Sequence, residues 1–345
     1  MKNHSILILG GDDVISLLAN SELEIIDTVS RAYMVNSCGD SSLPHSTFLR
    51  FPKDQRNRII ALPAFLGGEF NTAGVKWISS FPGNDRRRID RATAVIVLNS
   101  VDTGLPIALL EGAVISAKRT AASAALAARY LYRNVDFDSV GLIGCGLINF
   151  EVARFLLIIY PWLKKLIVYD KHQARAQQFA EKCKELSGGL NVVIVGGIDE
   201  VLSSSTLVSI ATTAGAPHIN NISRCRPGAV ILHISLRDLA PEIILNVDNV
   251  VDDIDHVCRE ETSIHLAERL AGNREFINRT MAEVISGNPV TAREVRAVTV
   301  FSPFGLGVLD IAVSRLVYDM AQSQNRGAVI ESFFPLPWTR RPGGE

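Results

Sequence analysis

Cysteine is scarce in this chain of 345 residues: there are five, at Cys38, Cys145, Cys183, Cys225 and Cys258. The number is odd, the spacing is wide, and no CxxC or Cys/His ligand pattern occurs. A disulfide framework and a zinc site are therefore not expected, and free thiols fit a reducing, cytoplasmic setting. Long apolar runs are lacking too. The stretch from Val152 to Tyr160 stops at Pro161, short of the ~20 residues that cross a bilayer as a helix. The strand-like start is interrupted by Gly10-Gly11-Asp12-Asp13, too early for the apolar segment of a secretory signal. Neither charge is in excess, since 35 Lys and Arg face 36 Asp and Glu for a net charge of -1. That balance argues against nucleic-acid and membrane partners, and Arg86-Arg87-Arg88 reads as a solvated loop. Internal repeats and low-complexity segments are absent from the sequence.

What is present is a globular composition, 47% hydrophobic and 21% charged, long enough for two domains with their own cores. Residues 5–9 read as a strand. A short helix to Leu18, capped by Asp12 or Asp13, and another from Ser21 to about Ser37 follow. Ser46–Phe51, Asn57–Ala64, Thr72–Ser80, Ala92–Asn99 and Pro106–Glu111 are β-rich and separated by turn residues, which predicts a mostly antiparallel sheet. An alanine-rich helix covers Ser116–Leu131. A βαβ rhythm comes next, with strands at 139–143, 166–169, 191–195, 207–210, 229–233 and 249–252. Helices fall at 147–159, 172–187, 198–203 and 241–246. Helical pattern returns at 260–271 and 274–286, and a last helix spans Gly307–Gln322. The proline-bearing tail after Asn325 is expected to pack loosely. The fold class read from this order is α/β, a Rossmann doubly wound parallel sheet plus a mostly antiparallel α+β domain.

The most informative stretch is Val140-Gly141-Leu142-Ile143-Gly144-Cys145-Gly146-Leu147-Ile148-Asn149. It runs strand, glycine turn, helix start. About twenty residues later a second strand ends in an acid, Asp170, the spacing of a dinucleotide site. Glycines let the backbone approach a pyrophosphate, the helix N-terminus faces its charge, and the acid bonds a ribose. The cofactor-binding candidates are Gly144, Gly146, Leu147, Ile148, Asn149 and Asp170, with NAD favoured because Asp170 repels a 2′-phosphate. Asn149 stands where the fingerprint has its third glycine, either altering the packing of the turn or reaching the phosphate. Thr212 and Thr213 follow a predicted strand end, where ligands sit in such sheets; a plain loop is the other reading.

Further blocks carry a resemblance. They are Gly74-Val75-Lys76-Trp77, Phe81-Pro82-Gly83-Asn84, Thr103-Gly104-Leu105-Pro106, Leu110-Glu111-Gly112, Lys118-Arg119-Thr120-Ala121-Ala122-Ser123-Ala124, the Gly144 turn, Phe304-Gly305 and Asp310. In this order and spacing the chain resembles the ornithine cyclodeaminase/mu-crystallin family over nearly its whole length. Leu43–Phe51, Asn57–Ala64, Lys76–Pro82 and His233-Ile234-Ser235-Leu236-Arg237-Asp238-Leu239 are similar to the branch of N-(2-amino-2-carboxyethyl)-L-glutamate dehydrogenases. One departure stands out: Ser46 occupies the position where many members carry an arginine. Arg50, four residues on, shares its strand face and is a candidate replacement.

The resemblance implies a substrate-binding and dimerisation domain (1–118 with 308–345) around an NAD-binding domain (119–307). It implies NAD-dependent oxidation of a secondary amine joining glutamate to diaminopropionate, then hydrolysis of the imine to 2-oxoglutarate and L-2,3-diaminopropionate. That product serves siderophore or peptide-antibiotic synthesis. A small-molecule substrate and a homodimer are the expected partners. Lys76 and Asp238 are the catalytic candidates, and Ser235 joins the cofactor set. The substrate has three carboxylates, so Arg50, Arg91 and Arg119 join Lys76 as its ligands, although Arg50 and Arg91 read equally as surface residues. Glu111 is a possible second acid, while His233 reads as a packed strand residue. Ornithine cyclodeaminase chemistry and a non-enzymatic, mu-crystallin-like binder remain the alternatives.

Overall fold

The computed structural model describes residues 4–132, 137–287 and 297–340. Along the chain lie β1 (Ile6–Leu9), α1 (Gly11–Leu17), α2 (Glu22–Ser37), β2 (Ser41–Ser42), β3 (Thr47–Phe51), β4 (Asp54–Leu66), β5 (Thr72–Ser80), β6 (Ala92–Asn99), β7 (Pro106–Glu111) and α3 (Ala113–Leu131). Then come β8 (Ser139–Ile143), α4 (Leu147–Ile159), β9 (Lys165–Tyr169), α5 (Gln173–Lys184), β10 (Asn191–Ile194), α6 (Ile198–Ser204), β11 (Leu207–Ile210), β12 (Val230–His233) and α7 (Pro241–Ile244). The remainder is β13 (Asp248–Val251), α8 (Ile254–Val257), α9 (Ser263–Ala271), β14 (Ile277–Thr280), α10 (Met281–Ile285), β15 (Thr299–Ser302), α11 (Gly307–Gln324) and β16 (Ala328–Ile330).

The chain divides into two compact units. One comprises Met1–Ser21, Val35–Ser116 and Gly307–Glu345, the other Glu22–Met34 and Ala117–Leu306. The first is built on a sheet of order β16-β1-β7-β6-β5-β4-β2, with β3 also on β4. Every pairing in it is antiparallel except β1 with β7. Alternation along the strands sorts the two faces. Lys76, Ser80, Ile96, Leu98, Leu62 and Ala64 are buried, and α11 packs on β4, β5 and β6. On the other face Leu49, Trp77 and Val95 are exposed.

The second unit holds eight parallel strands in the order β10-β9-β8-β11-β12-β15-β13-β14. The chain starts in the middle at β8, moves outward through β9 and β10, then reverses at β11. This places a topological switch point between β8 and β11, where open α/β sheets bind ligands at their strand carboxyl ends. The strands are apolar on both faces, as a sheet covered on both sides requires. Ile143, Val208, Ile210, Ile231, Val251 and Val300 are among the side chains of its core.

Four expectations change. Helix α1 is capped by Gly10, with Asp12 and Asp13 in its first turn rather than at the cap. The segment 274–286, expected as one helix, is strand β14 followed by α10. Thr280 and Glu283 form a capping box that starts the helix at Met281. Strand β15 was not anticipated, although it lies inside the sheet between β12 and β13. The tail is not wholly loose, since β16 pairs antiparallel with β1. No helix among the described residues is long and apolar enough to cross a membrane.

Candidate active site

The glycine turn of the second unit is built by strict local constraints. Gly144 has φ +92°, and a Cβ there would lie 2.4 Å from the Ala211 carbonyl oxygen, so no other residue fits. Gly146 caps α4 and offers no side-chain acceptor to the first-turn N–H groups. A Cβ at Gly146 would meet nothing within 4 Å. The helix end is thus accessible and lacks a competing side chain, which fits a dinucleotide pyrophosphate. Leu147 is exposed and Ile148 half-buried beside it. Asp170, one residue past β9, accepts the Cys145 N–H at 3.0 Å and the His172 N–H at 2.9 Å. The acid is thereby tied to the turn.

Asn149 is fully buried. Its Nδ2 donates to the carbonyls of Ile143 at 2.9 Å and Gly144 at 2.7 Å, and its Oδ1 accepts the Ser209 hydroxyl at 2.7 Å. Of the two readings left open by the sequence, this geometry favours the packing one: the amide ties the turn to β11. Asn149→Ala is expected to cost about 1–3 kcal/mol, the scale of a buried polar group left without its partner. Urea denaturation of the two proteins measures it.

At the carboxyl ends of β11 and β12 a second cluster surrounds Asp238, which is fully buried. Ser235 and Thr212 donate their hydroxyls to its carboxylate. His218 Nε2 lies 3.0 Å from Oδ1. His233 Nε2 lies 3.3 Å from Asp238 Oδ2 and 3.1 Å from the Asp238 backbone nitrogen, while His233 Nδ1 faces Ser302 Oγ at 3.2 Å. Burial alone would raise the Asp238 pKa. The side chains of His233, Ser235 and Thr212 outweigh it and hold the carboxyl well below the usual range. Thr212 and Ser235, expected at the cofactor, therefore spend their hydroxyls on Asp238; Thr213 is exposed beside them. His233 is the buried strand residue that the sequence suggested.

Arg119 sits on α3, buried, with its guanidinium nitrogens 3.0 and 3.2 Å from where a Cβ of Gly305 would be. Gly305 has φ +94°, so the position suits glycine twice over. Its turn is held by Asp252, which follows β13 and accepts the N–H groups of Asp253, Phe304 and Gly305 at 2.9, 2.9 and 2.7 Å. Burial outweighs these donors and pushes the Asp252 carboxyl from 3.8 up to about 6. The folded chain therefore binds this proton more tightly than the unfolded one. The contribution of Asp252 to stability falls as pH rises through the window from about 4 to about 6. Asp252→Asn, which fixes a neutral side chain, is expected to flatten that part of the curve of urea midpoint against pH.

In the first unit Lys76 is 2% exposed and Asp310 fully buried, with Nζ 2.6 Å from Oδ2 and 3.1 Å from Ser116 Oγ. Strand register puts Arg50, Arg58 and Ser80 on the Lys76 face of the sheet: Arg50 pairs with Arg58, and Arg58 with Ser80. Arg91 donates from Nη2 to Ser80 Oγ at 3.2 Å. Arg50 is exposed and lies 5.3 Å from the Phe48 ring centroid. Glu111, the possible second acid, is engaged at the start of a helix. It accepts the N–H groups of Ala113 at 2.7 Å and Val114 at 3.0 Å, and so caps α3.

Residues 10–325 match the model of the ornithine cyclodeaminase/mu-crystallin family. The chain belongs to that family. A relative from Staphylococcus aureus, N-((2S)-2-amino-2-carboxyethyl)-L-glutamate dehydrogenase, is 28% identical over 339 residues, covering 96% of this chain and all of that protein. Among solved structures, the Thermococcus litoralis Delta(1)-pyrroline-2-carboxylate reductase in complex with NADH and L-proline is similar at a TM-score of 0.86. It shares 28% identity, with 94% of this chain and 99% of that one covered. An archaeal alanine dehydrogenase, a dimer with bound NAD, is similar at 0.83 with 27% identity, covering 96% of this chain and 100% of that one.

Against this family background, sequence reasoning missed Arg58, His218 and Asp252. Arg58 was legible by period-two alternation with Ile60 and Leu62 along β4. Asp252 directly follows a strand, as Asp170 does. His218 had no signal, because it reaches Asp238 only through tertiary folding.

Proposed function

We propose that this protein uses NAD to oxidise N-(2-amino-2-carboxyethyl)-L-glutamate, with water then releasing L-2,3-diaminopropionate and 2-oxoglutarate. At the coarser level the chain is an NAD-dependent oxidoreductase acting on the CH–NH bond of an amino acid. The relatives' activities and the NAD- and NADH-bound neighbours support that level. The observation that carries the finer reading is the set of cations on one face of the first sheet. Arg50, Arg58 and Lys76 share that face, and Arg91 reaches it through Ser80. A substrate with three carboxylates uses several such groups, each charged hydrogen bond contributing about 1.5–3 kcal/mol. Arg119, on α3, is a separate candidate for a substrate carboxylate.

The Gly144 turn, the α4 end and Asp170 would hold NAD, which when bound accepts the hydride. The protein's own cations would bind the carboxylates through charged hydrogen bonds. The fold supports a homodimer. Exposed Leu49, Trp77 and Val95 lie on one face of the first sheet, an apolar surface a second copy can cover. The product suits siderophore or peptide-antibiotic synthesis.

Purified protein with NAD and the glutamate conjugate should form NADH and 2-oxoglutarate in equal amounts. If neither appears while alanine or ornithine reduces NAD, the substrate reading is wrong and a one-carboxylate amino acid is the substrate. If no amino acid is turned over but NAD binds tightly, the chain is a binder.

A further inference from the structure

We propose that His218 is the residue that moves the substrate's proton, and that Asp238 is its positioning residue. The proposal rests on the coarser reading above, an amino-acid oxidoreductase, and not on which amino acid is used.

The geometry separates the two roles. Asp238 is closed off, with 0% of its side chain exposed, while 38% of His218 is exposed. The acid already accepts from Thr212, Ser235 and His218, so a substrate does not reach its oxygens directly. His218 sits between the two. Its Nε2 is anchored on the carboxylate at 3.0 Å. Its own N–H and that of Ile219 both donate to the Asp238 carbonyl, at 3.0 and 2.9 Å. One residue thus fixes both the backbone and the ring of the histidine.

The turn that carries Asp238 is also strained, with Leu236 at φ +75°. Strain of this kind persists where surrounding structure enforces it. Here the Ser263 N–H holds the Leu236 carbonyl at 2.7 Å. The cluster lies at the carboxyl edge of β11 and β12, the side of an open α/β sheet where ligands bind.

Asp238 also selects the tautomer. A carboxylate at Nε2 requires the proton on that nitrogen, which leaves the lone pair on Nδ1. Among the described residues no hydrogen bond occupies Nδ1. An amino-acid nitrogen is protonated near neutral pH, and hydride cannot leave the adjacent carbon until a lone pair is available to form C=N. His218 Nδ1 takes one proton from that ammonium. The nitrogen lone pair then forms the C=N bond as the Cα–H electron pair departs to NAD. The two electrons the amine loses would leave as hydride to NAD when it is bound, and the His218 imidazolium returns one proton to solvent.

His218→Ala and His218→Gln should fold, since the side chain is exposed, and should bind NAD within about threefold of the parent by fluorescence titration. Their kcat should fall about 10²–10⁴-fold, with kcat of the alanine variant partly restored by added imidazole. A second readout needs no cofactor. ¹⁵N NMR of the free protein should show His218 as the Nε2–H tautomer, and Asp238→Asn should mix the two tautomers. A kcat within about threefold of the parent in both variants, or an Nδ1–H tautomer in the parent, overturns the proposal. If the parent ignores the glutamate conjugate but oxidises alanine, the substrate reading fails. The same variants then test His218 on alanine, and the NMR result stands apart from either.

Discussion

Lys76→Met is expected to abolish measurable turnover and to lower stability by about 3–5 kcal/mol, the range for breaking a buried ion pair from one side. The reason lies with its partner. Asp310 is fully buried and Lys76 Nζ is 2.6 Å away, so methionine leaves a carboxylate facing an apolar group in the interior. The lysine has two proposed tasks, neutralising α11's acid and holding a substrate carboxylate, and one variant cannot separate them. The double variant Lys76→Met/Asp310→Leu does. Replacing both charges with apolar groups of similar size removes the desolvation cost along with the attraction, and should return most of the lost stability in urea titrations. Turnover should remain absent. Recovery of both would reduce Lys76 to a structural residue.

The second large effect is expected at Gly144. Gly144→Val places a β-branched residue at φ +92°, with its Cβ 2.4 Å from the Ala211 carbonyl oxygen. Backbone strain of about 1–3 kcal/mol adds to an overpacking cost of similar size. The turn must shift, and NAD affinity should fall more than about tenfold, since each tenfold is about 1.4 kcal/mol. Gly146→Ala is the informative control. Its Cβ meets nothing within 4 Å and its φ of -116° is ordinary, so the protein should melt normally. A loss of NAD affinity in that variant alone would report a ligand approaching the helix end. Unchanged affinity in both variants would move the cofactor away from this turn.

The fold was legible where local signals agreed with tertiary demands. β8, α4 and β5–β7 follow the sequence pattern to the residue because turn residues such as Asn71, Pro82, Gly146 and Pro161 mark most of their ends. Residues 274–286 misled because Phe276, Ile277, Met281, Ala282, Val284 and Ile285 also suit helical periodicity. The Thr280-to-Glu283 spacing that marks the true helix start was present and unread. β15 is only four residues long, and a short apolar run reads as strand or helix alike.

In the site, single residues on strand ends, such as Asp170 and Asp238, could be found from the chain. Lys76 was visible as a charge within an apolar strand. Their partners were not visible: Asp310 lies 234 positions from Lys76, and His218 lies 20 from Asp238 with a strand between. Such pairs are created by topology rather than by spacing.

The position of β15 has a consequence for how the chain reaches its native state. β13 and β14 are made before β15, yet among the described residues they join the rest of their sheet only through it. Residues 299–302 must therefore slot between strands already synthesised. The next segments, α11 and β16, complete the other unit by packing on β4–β6 and pairing with β1 near the start of the chain. Neither sheet can close while residues beyond 298 are still in the ribosome. Such long-range closure is slow and leaves strand edges exposed meanwhile, so both sheets keep open edges until residues 299–330 have been made.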